Sequence, residues 1–479
     1  MDFRPMDFRP IVALFLFTVL LSPLSFSATF DVNSNLDEND SNLNDGVCEA
    51  SVFGRCTLRA AIQQANDLDG ADVINLPIGI YDTASQLVID SEVSIIGEDM
   101  VTTVVNADNS IEPHRLFSIV TDGAVSLSGF TIQGGDVRGR GLGGGIFLDA
   151  NVDLTLYEIN LSDNRADIGG AIADFFGARN LSIHNSVIAN NTAIALGGGL
   201  SLYGGEAVIT NTTIRGNRSI DGGGLSVGRM DPTNLVVVNT TISSNQAANN
   251  GAGIQLLNGS VSLYNTTVTD NQADSNNDGE GSGGGLFASD NSTVNRNVTI
   301  NHSIIAGNLS NTGSEPDCRI TIATTFTSEG YNILGDDRGC SFVAGPGDQI
   351  GDSTTPVDPL LGLLSDNGGP TETHPLLNGS PAIDAGRPAG CIDPLLFAAL
   401  TTDQRGMTRP LDGGSGAAIC DIGAYEYSED SGDSENNSSG SSGGGCTISL
   451  NTSGYDPIFP LMLALSALYL LRRRVSIER

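Results

Sequence analysis

Six charged side chains in two short stretches are the best candidates for chemistry. They are Asp163, Arg165 and Asp167 in SDNRADIGG, and Arg215, Arg218 and Asp221 in IRGNRSIDGGG. Two carboxylates held a fixed distance apart could hydrolyse a glycosidic bond. An arginine base beside acids that hold calcium could instead eliminate across a uronate. The chain has no lysine, which excludes Schiff-base chemistry and a phosphate-loop lysine. A formal net charge of -34 argues against nucleic acid, whose phosphates need basic side chains to displace their counterions. The bland reading of the six is a solvated charged edge with weak ion pairs.

The elements that must carry them repeat. GGGIFL (Gly143), GGAIAD (Gly169), GGGLSL (Gly197), GGGLSV (Gly222), GAGIQL (Gly251) and GGGLFA (Gly283) recur, and between them run HNSVIANN, TNTTIRGN, VNTTISSN and YNTTVTDN. The first asparagines of these phrases, Asn185, Asn211, Asn239 and Asn265, stand about 26 residues apart, a spacing that marks a solenoid. Apolar residues alternate before each asparagine, as in Leu181-x-Ile183, and again after each glycine cluster, as in Leu200-x-Leu202. Alternation with period two means strands with one buried face. Three short strands per repeat with no helix between them predict a right-handed parallel β-helix of the pectin-lyase-like kind, about nine to ten coils stacked roughly 4.8 Å apart. In that fold Asn tolerates a left-handed corner, and stacked amides can satisfy one another. Inward columns are therefore expected of Asn185, Asn211, Asn239 and Asn265, and of Asn191, Asn217, Asn245 and Asn271. CTLRAAIQQAND (Cys56 to Asp67) is the strong amphipathic helix candidate and should cover the first coil.

The ends read as an address. Residues 1–27 have the apolar run and small residues of a secretory signal, with the true start at Met1 or Met6. Residues 28–70 form a cap module, 71–312 the β-helix and 313–427 a less regular C-terminal module. Residues 428–445 are too polar to bury a core and read as a linker, and 446–479 hold a short apolar run ending in Arg472, Arg473 and Arg474. In an exported chain, neighbouring cysteines predict disulfides Cys48/Cys56, Cys318/Cys340 and Cys391/Cys420, leaving Cys446 alone. His114, His184, His302 and His374 are scattered, so no metal site is assigned, although DENDSNLNDG (Asp37 to Gly46) has the oxygen-rich look of a calcium loop.

Several stretches resemble bacterial surface proteins. DGVCEASVFGRCTLRAAIQQAN resembles the module named for its Cys-Ser-Leu-Arg-Glu-Ala signature, with Thr57 and Ala60 replacing Ser and Glu. The Gly-Gly-Ala-Ile repeats are similar to those of polymorphic outer-membrane proteins. DPLLGLLSDNGGPTETHPLLNGSPAIDAG, TDQRGMTRP and CDIGAYE are similar to the choice-of-anchor module. Gly444, Gly445 and Cys446 before the apolar run resemble a C-terminal sorting tail, which implies a processing protease as partner and makes Cys446 a candidate for attachment. These resemblances imply an exported protein of a Gram-negative bacterium, at the cell surface or outer membrane or secreted, held to a membrane through its tail. They bring no catalytic residues. The expected function is a non-catalytic adhesin that binds an extracellular glycan or neighbouring surface; the alternative is a polysaccharide lyase or glycoside hydrolase using the Asp163 to Asp221 edge.

Overall fold

The computed structural model describes residues 27–428, apart from 44, 52–53, 111, 150, 289–295 and 322–323. The expected signal segment to residue 26, the linker from 429 onward, and Gly444, Gly445 and Cys446 lie outside the described residues. No helix among those described is long and apolar enough to cross a membrane.

The chain winds into a parallel β-helix of about nine coils, its strands paired in parallel along the rod and in register apart from a shift between Arg165–Ile168 and Thr192–Leu196. Leu154 stacks on Leu181, Ala207, Leu235, Val261 and Val298. Leu161 likewise stacks on Ile188, Ile214, Ile242, Val268 and Ile305. Both columns are buried, because a parallel coil places the same inward position of each repeat on top of the last. Each regular coil crosses three sheets. The first is bent: Gly205–Thr210 and Thr213–Arg215 are separated by the corner at Asn211. The second carries short strands such as Arg218–Ser219. The third runs from Leu87–Ile89 to Cys318–Ile320, nine strands among the described residues.

Left-handed backbone marks the corners. Gly129, Glu158, Asn185, Asn211, Asn239, Asn265, His302 and Tyr331 all have positive φ, so the corner includes the irregular repeats as well as the Asn-Thr-Thr phrases. Gly143, Gly169, Gly197, Gly222, Gly251 and Gly283 form another such column with φ between 61° and 66°. A Cβ on Gly197 would lie 2.2 Å from the carbonyl oxygen of Leu200, so no other residue fits there.

Both ends of the rod are closed. A helix at Leu58–Asp67, capped by Thr57, whose side chain accepts from the Ala60 amide, lays Leu58, Ala61, Ile62 and Ala65 on the first coils. Arg59 fastens it, pairing with Asp37 at 2.6 Å and donating to the Ser85 and Gln86 carbonyls. At the other end Phe326 and Phe342 pack 4.6 Å apart beside the Cys318–Cys340 disulfide, shielding strand edges that would otherwise invite pairing. The other predicted disulfides, Cys48–Cys56 and Cys391–Cys420, are also formed.

After Gln349–Ile350 the chain leaves the stack and runs back along the rod as a strap, residues 351–427, lying over the Asn-Thr-Thr corner. Thr371 donates to the Asn211 carbonyl, Thr241 to Gln404, Asn239 to the Thr402 carbonyl, and the Ala424 amide to Thr267. Outward positions that are Thr213, Thr241 and Thr267 in the middle coils become Ile304 and Ile333. There the strap lays Leu376, Ala382, Ile422 and Tyr425 against Ile304, Ala306 and Ile333 as a second small core.

Candidate functional site

Four of the six charged residues of the candidate edge, Asp167, Arg215, Arg218 and Asp221, are tied to separate partners, and the six do not converge on one another. Asp163 is an exposed left-handed corner residue, with φ 57°. Its carboxylate neighbour Asp167 accepts from the Gly139 amide at 2.6 Å. Arg165 lies on the surface near Asp136. Arg215 is ion-paired with Glu372 of the strap, Arg218 donates to Gln246, and Asp221 accepts from the backbone amide of Asn250 at 3.1 Å. Burial raises the pKa of Asp221, but the residue serves a corner rather than a cleft. A wide shallow hollow does open beside this edge, lined by Pro113, Asp136, Arg138, Gly139, Arg140, Thr192 and Ile194. Its charges are committed: Asp136 pairs with Arg138 at 2.7 Å and Glu112 with Arg140 at 2.9 Å.

The two asparagine columns differ. Asn191, Asn217, Asn245 and Asn271 are fully buried and form an unbroken chain of amides, each accepting from the rung before and donating to the rung after at 2.9 Å. The chain extends to Asn164 at one end and through Asn308 to Asp317 at the other. Asp317 fits as the last rung because both of its neighbours donate: Asn308 to Oδ1 and the Asp336 amide to Oδ2. Burial pushes its pKa up to about 6. Asn185, Asn211, Asn239 and Asn265, expected to point inward as well, make no such chain. They are themselves the left-handed residues, and the strap meets three of them from outside: Arg409 donates to the side chains of Asn239 and Asn265, and Thr371 to the Asn211 carbonyl. The inward column at that corner is the hydroxyl of the next residue, Ser186, Thr212, Thr240, Thr266 and Ser303, all fully buried. Each of Ser186, Thr212 and Ser303 accepts an amide from the coil below.

The histidines are built into packing. His374 bridges the Gly362 carbonyl and Ser243, and His184 bonds Thr210. His302 has its Nδ1 on Asn301 and accepts the Arg387 amide at Nε2, and burial, then nearby Arg409 and Arg387, lowers its pKa to about 4. The grouping of three possible metal ligands among the described residues, His302 with Cys391 and Cys420, has its sulfurs committed to the disulfide. In the Asp37 to Gly46 segment, Asp37 serves Arg59 and the Ala84 amide, while Asp40 accepts from the Asn42 and Glu49 amides.

What sequence reasoning passed over is an aromatic shelf on the third sheet. Phe147, Phe175 and Tyr203 recur every 28 residues in a chain without tryptophan, which was the available signal. Phe147 lies at the centre of Ile146–Leu148, while Phe175 and Tyr203 directly follow the paired strand ends Asp174 and Leu202. Ring centroids are 6.4 Å apart for Phe147 and Phe175, and 5.3 Å for Phe175 and Tyr203. Phe176 meets Phe175 edge-on at 5.1 Å. Arg115 lies over Phe147 at 4.5 Å and Arg229 over Tyr203 at 5.3 Å, bracketing the shelf with cations. Phe175 and Phe176 are 41% and 60% exposed, whereas Tyr203 is buried, so the face the shelf offers is the phenylalanine pair.

The shelf is held from beneath by Asp174. Its position in the inward column is Leu148, Leu202 and Val227 in neighbouring coils, and it is only 1% exposed. Burial raises its pKa to about 6, against the backbone amides of Ala178, Gly177 and Tyr203 that favour the ionised form. A carboxyl whose folded pKa lies above its unfolded value stabilises the fold when protonated, and that contribution is lost as pH rises through about 6. Wild type should therefore gain stability relative to Asp174→Asn on going from about pH 8 to about pH 5, by roughly 1–2 kcal/mol. Urea unfolding of both proteins at the two pH values measures the gap, and a gap that stays constant would mean the carboxyl is solvated.

Comparison with protein-family models, with curated proteins and with solved structures gives no match.

Proposed function

We propose that the protein is an exported, surface-held β-helix that binds an extracellular glycan without turning it over. The aromatic shelf carries this reading. Flat apolar rings with flanking guanidinium groups suit the alternating C–H faces and hydroxyls of pyranose units. A rigid parallel stack holds them in fixed register, so little ordering is needed on binding. Of the acid and arginine edge that a lyase or hydrolase would use, Arg215, Arg218 and Asp221 are engaged with Glu372, Gln246 and Asn250.

The full chain on a glycan array should bind at least one polysaccharide class and release neither reducing ends nor unsaturated products. The double variant Phe175→Ala, Phe176→Ala should weaken that binding at least about tenfold, the order expected from removing stacked rings. Unchanged binding in the double variant would remove the shelf from the reading. Release of unsaturated oligosaccharides that is abolished by Arg218→Ala would establish the lyase alternative instead.

A further inference from the structure

The coil between ladder residues Asn271 and Asn308 spans 37 residues, where neighbouring rungs are 26 or 28 apart. Part of the excess is a loop inserted between the strand Gln272–Ala273 and the glycine corner at Gly283. Its sequence is Asp274-Ser-Asn276-Asn-Asp278-Gly279-Glu280. We propose that this loop is a calcium-binding site.

Side-chain oxygens fall at alternate positions, then a glycine turns the chain, the spacing with which a single loop surrounds a hard cation. The fold has already drawn them together. Asp274 accepts the amides of Asp278 and Gly279 at 3.0 and 3.3 Å, so the loop curls round its carboxylate. The amide of Asn276 lies 2.7 Å from the Asp278 carboxylate, and Gly279 has φ 87°.

A second observation points to a ligand. Asp274 is fully buried, and its Oδ2, on the same carboxylate that faces the loop amides, has no hydrogen-bond partner. A buried carboxylate oxygen left unpaired is costly, and a cation held with Asn276 and Asp278 would satisfy it. Oxygen-only donors on an exposed loop suit calcium better than magnesium, which demands a tighter octahedron. Gly285 stands where a tight calcium loop carries a bidentate glutamate, so affinity of about 10⁻⁴–10⁻³ M is expected, the class suited to calcium outside a cell. The site also ties coils together, since the Asp274 amide donates to the Asn249 carbonyl and Asn311 donates to the Asp274 carbonyl.

Calorimetric titration of the full chain with calcium alone, and separately with magnesium alone, tests the site. One calcium site is expected, with magnesium at least about tenfold weaker. Asp278 is exposed, so Asp278→Ala should fold, unfold in EDTA at the wild-type temperature, and lose calcium affinity at least about tenfold. Asp40→Ala should leave calcium binding unchanged. Absence of calcium heat up to about 10 mM, equal binding of magnesium, or unchanged affinity in Asp278→Ala would each overturn the proposal. Glycan binding is scored separately on the same proteins.

Discussion

Asn217→Asp is expected to be the most damaging single-atom change in the rod at neutral pH. Asn217 accepts from both nitrogens of Asn191 and donates from Nδ2 to Asn245 and to the Ile188 carbonyl, with no exposed surface. Aspartate keeps the accepting oxygen but turns the other against two acceptors, leaving an unpaired buried charge that costs about 3–5 kcal/mol. Asn217→Ala strands the Asn191 donors instead and costs roughly 2–4 kcal/mol. The two variants separate by pH. Once protonated, the introduced carboxyl can donate again, so the aspartate variant should recover stability as pH falls towards about 4 while the alanine variant does not. Denaturant titrations across that range decide it. Equal pH profiles for the two would mean that donation from this rung does not matter. Asp317 tolerates its charge because it sits at the end of the chain of amides, where both neighbours donate.

Arg409→Ala is expected to free the strap and leave the rod standing. The Arg409 and Glu426 side chains are both fully buried and paired at 2.7 Å, and Arg409 also reaches Asn239, Asn265 and the Gly423 carbonyl. Glu426 in turn accepts the Leu411 and Asp421 amides. Burial, then the charge of Glu426, already raises Asp421 to about 7, so removing the cation leaves two carboxyls crowded in a dry site. Breaking such a pair from one side costs about 3–5 kcal/mol. Hydrogen exchange should show protection lost over residues 351–427 and retained over the ladder. Adding Glu426→Gln should restore part of the loss, since the orphaned charge is then gone. Protection lost equally in rod and strap would show that the two form one cooperative unit.

Much of this architecture was legible residue by residue. The repeat length, the alternating Leu181 and Ile183 or Leu200 and Leu202, the glycine corners and the helix after Cys56 are local signals, and local backbone preference is what stacks coils in register. The aromatic shelf left only a faint trace, because Phe147 stands two positions earlier in its coil than Phe175 and Tyr203 do in theirs, and the rings meet only when coils stack. The loop at Asp274 was hidden by the neighbouring Asn-rich corners, and its buried oxygen depends on packing against adjacent coils.

By itself, then, the order of residues determined the period, the parallel coil, the left-handed corners and the pairing of cysteines, since each follows from short-range conformational preference and chain length. Only the tertiary structure decided which way a corner side chain turns. Asn239 and Asn245 sit six residues apart in the same phrase, yet one turns its amide to the strap and the other to the core. The reason is geometric. Asn239 is itself left-handed, whereas Asn245 follows the left-handed Ser244, and the destination of the returning strap depends on contacts more than 140 residues apart in the chain.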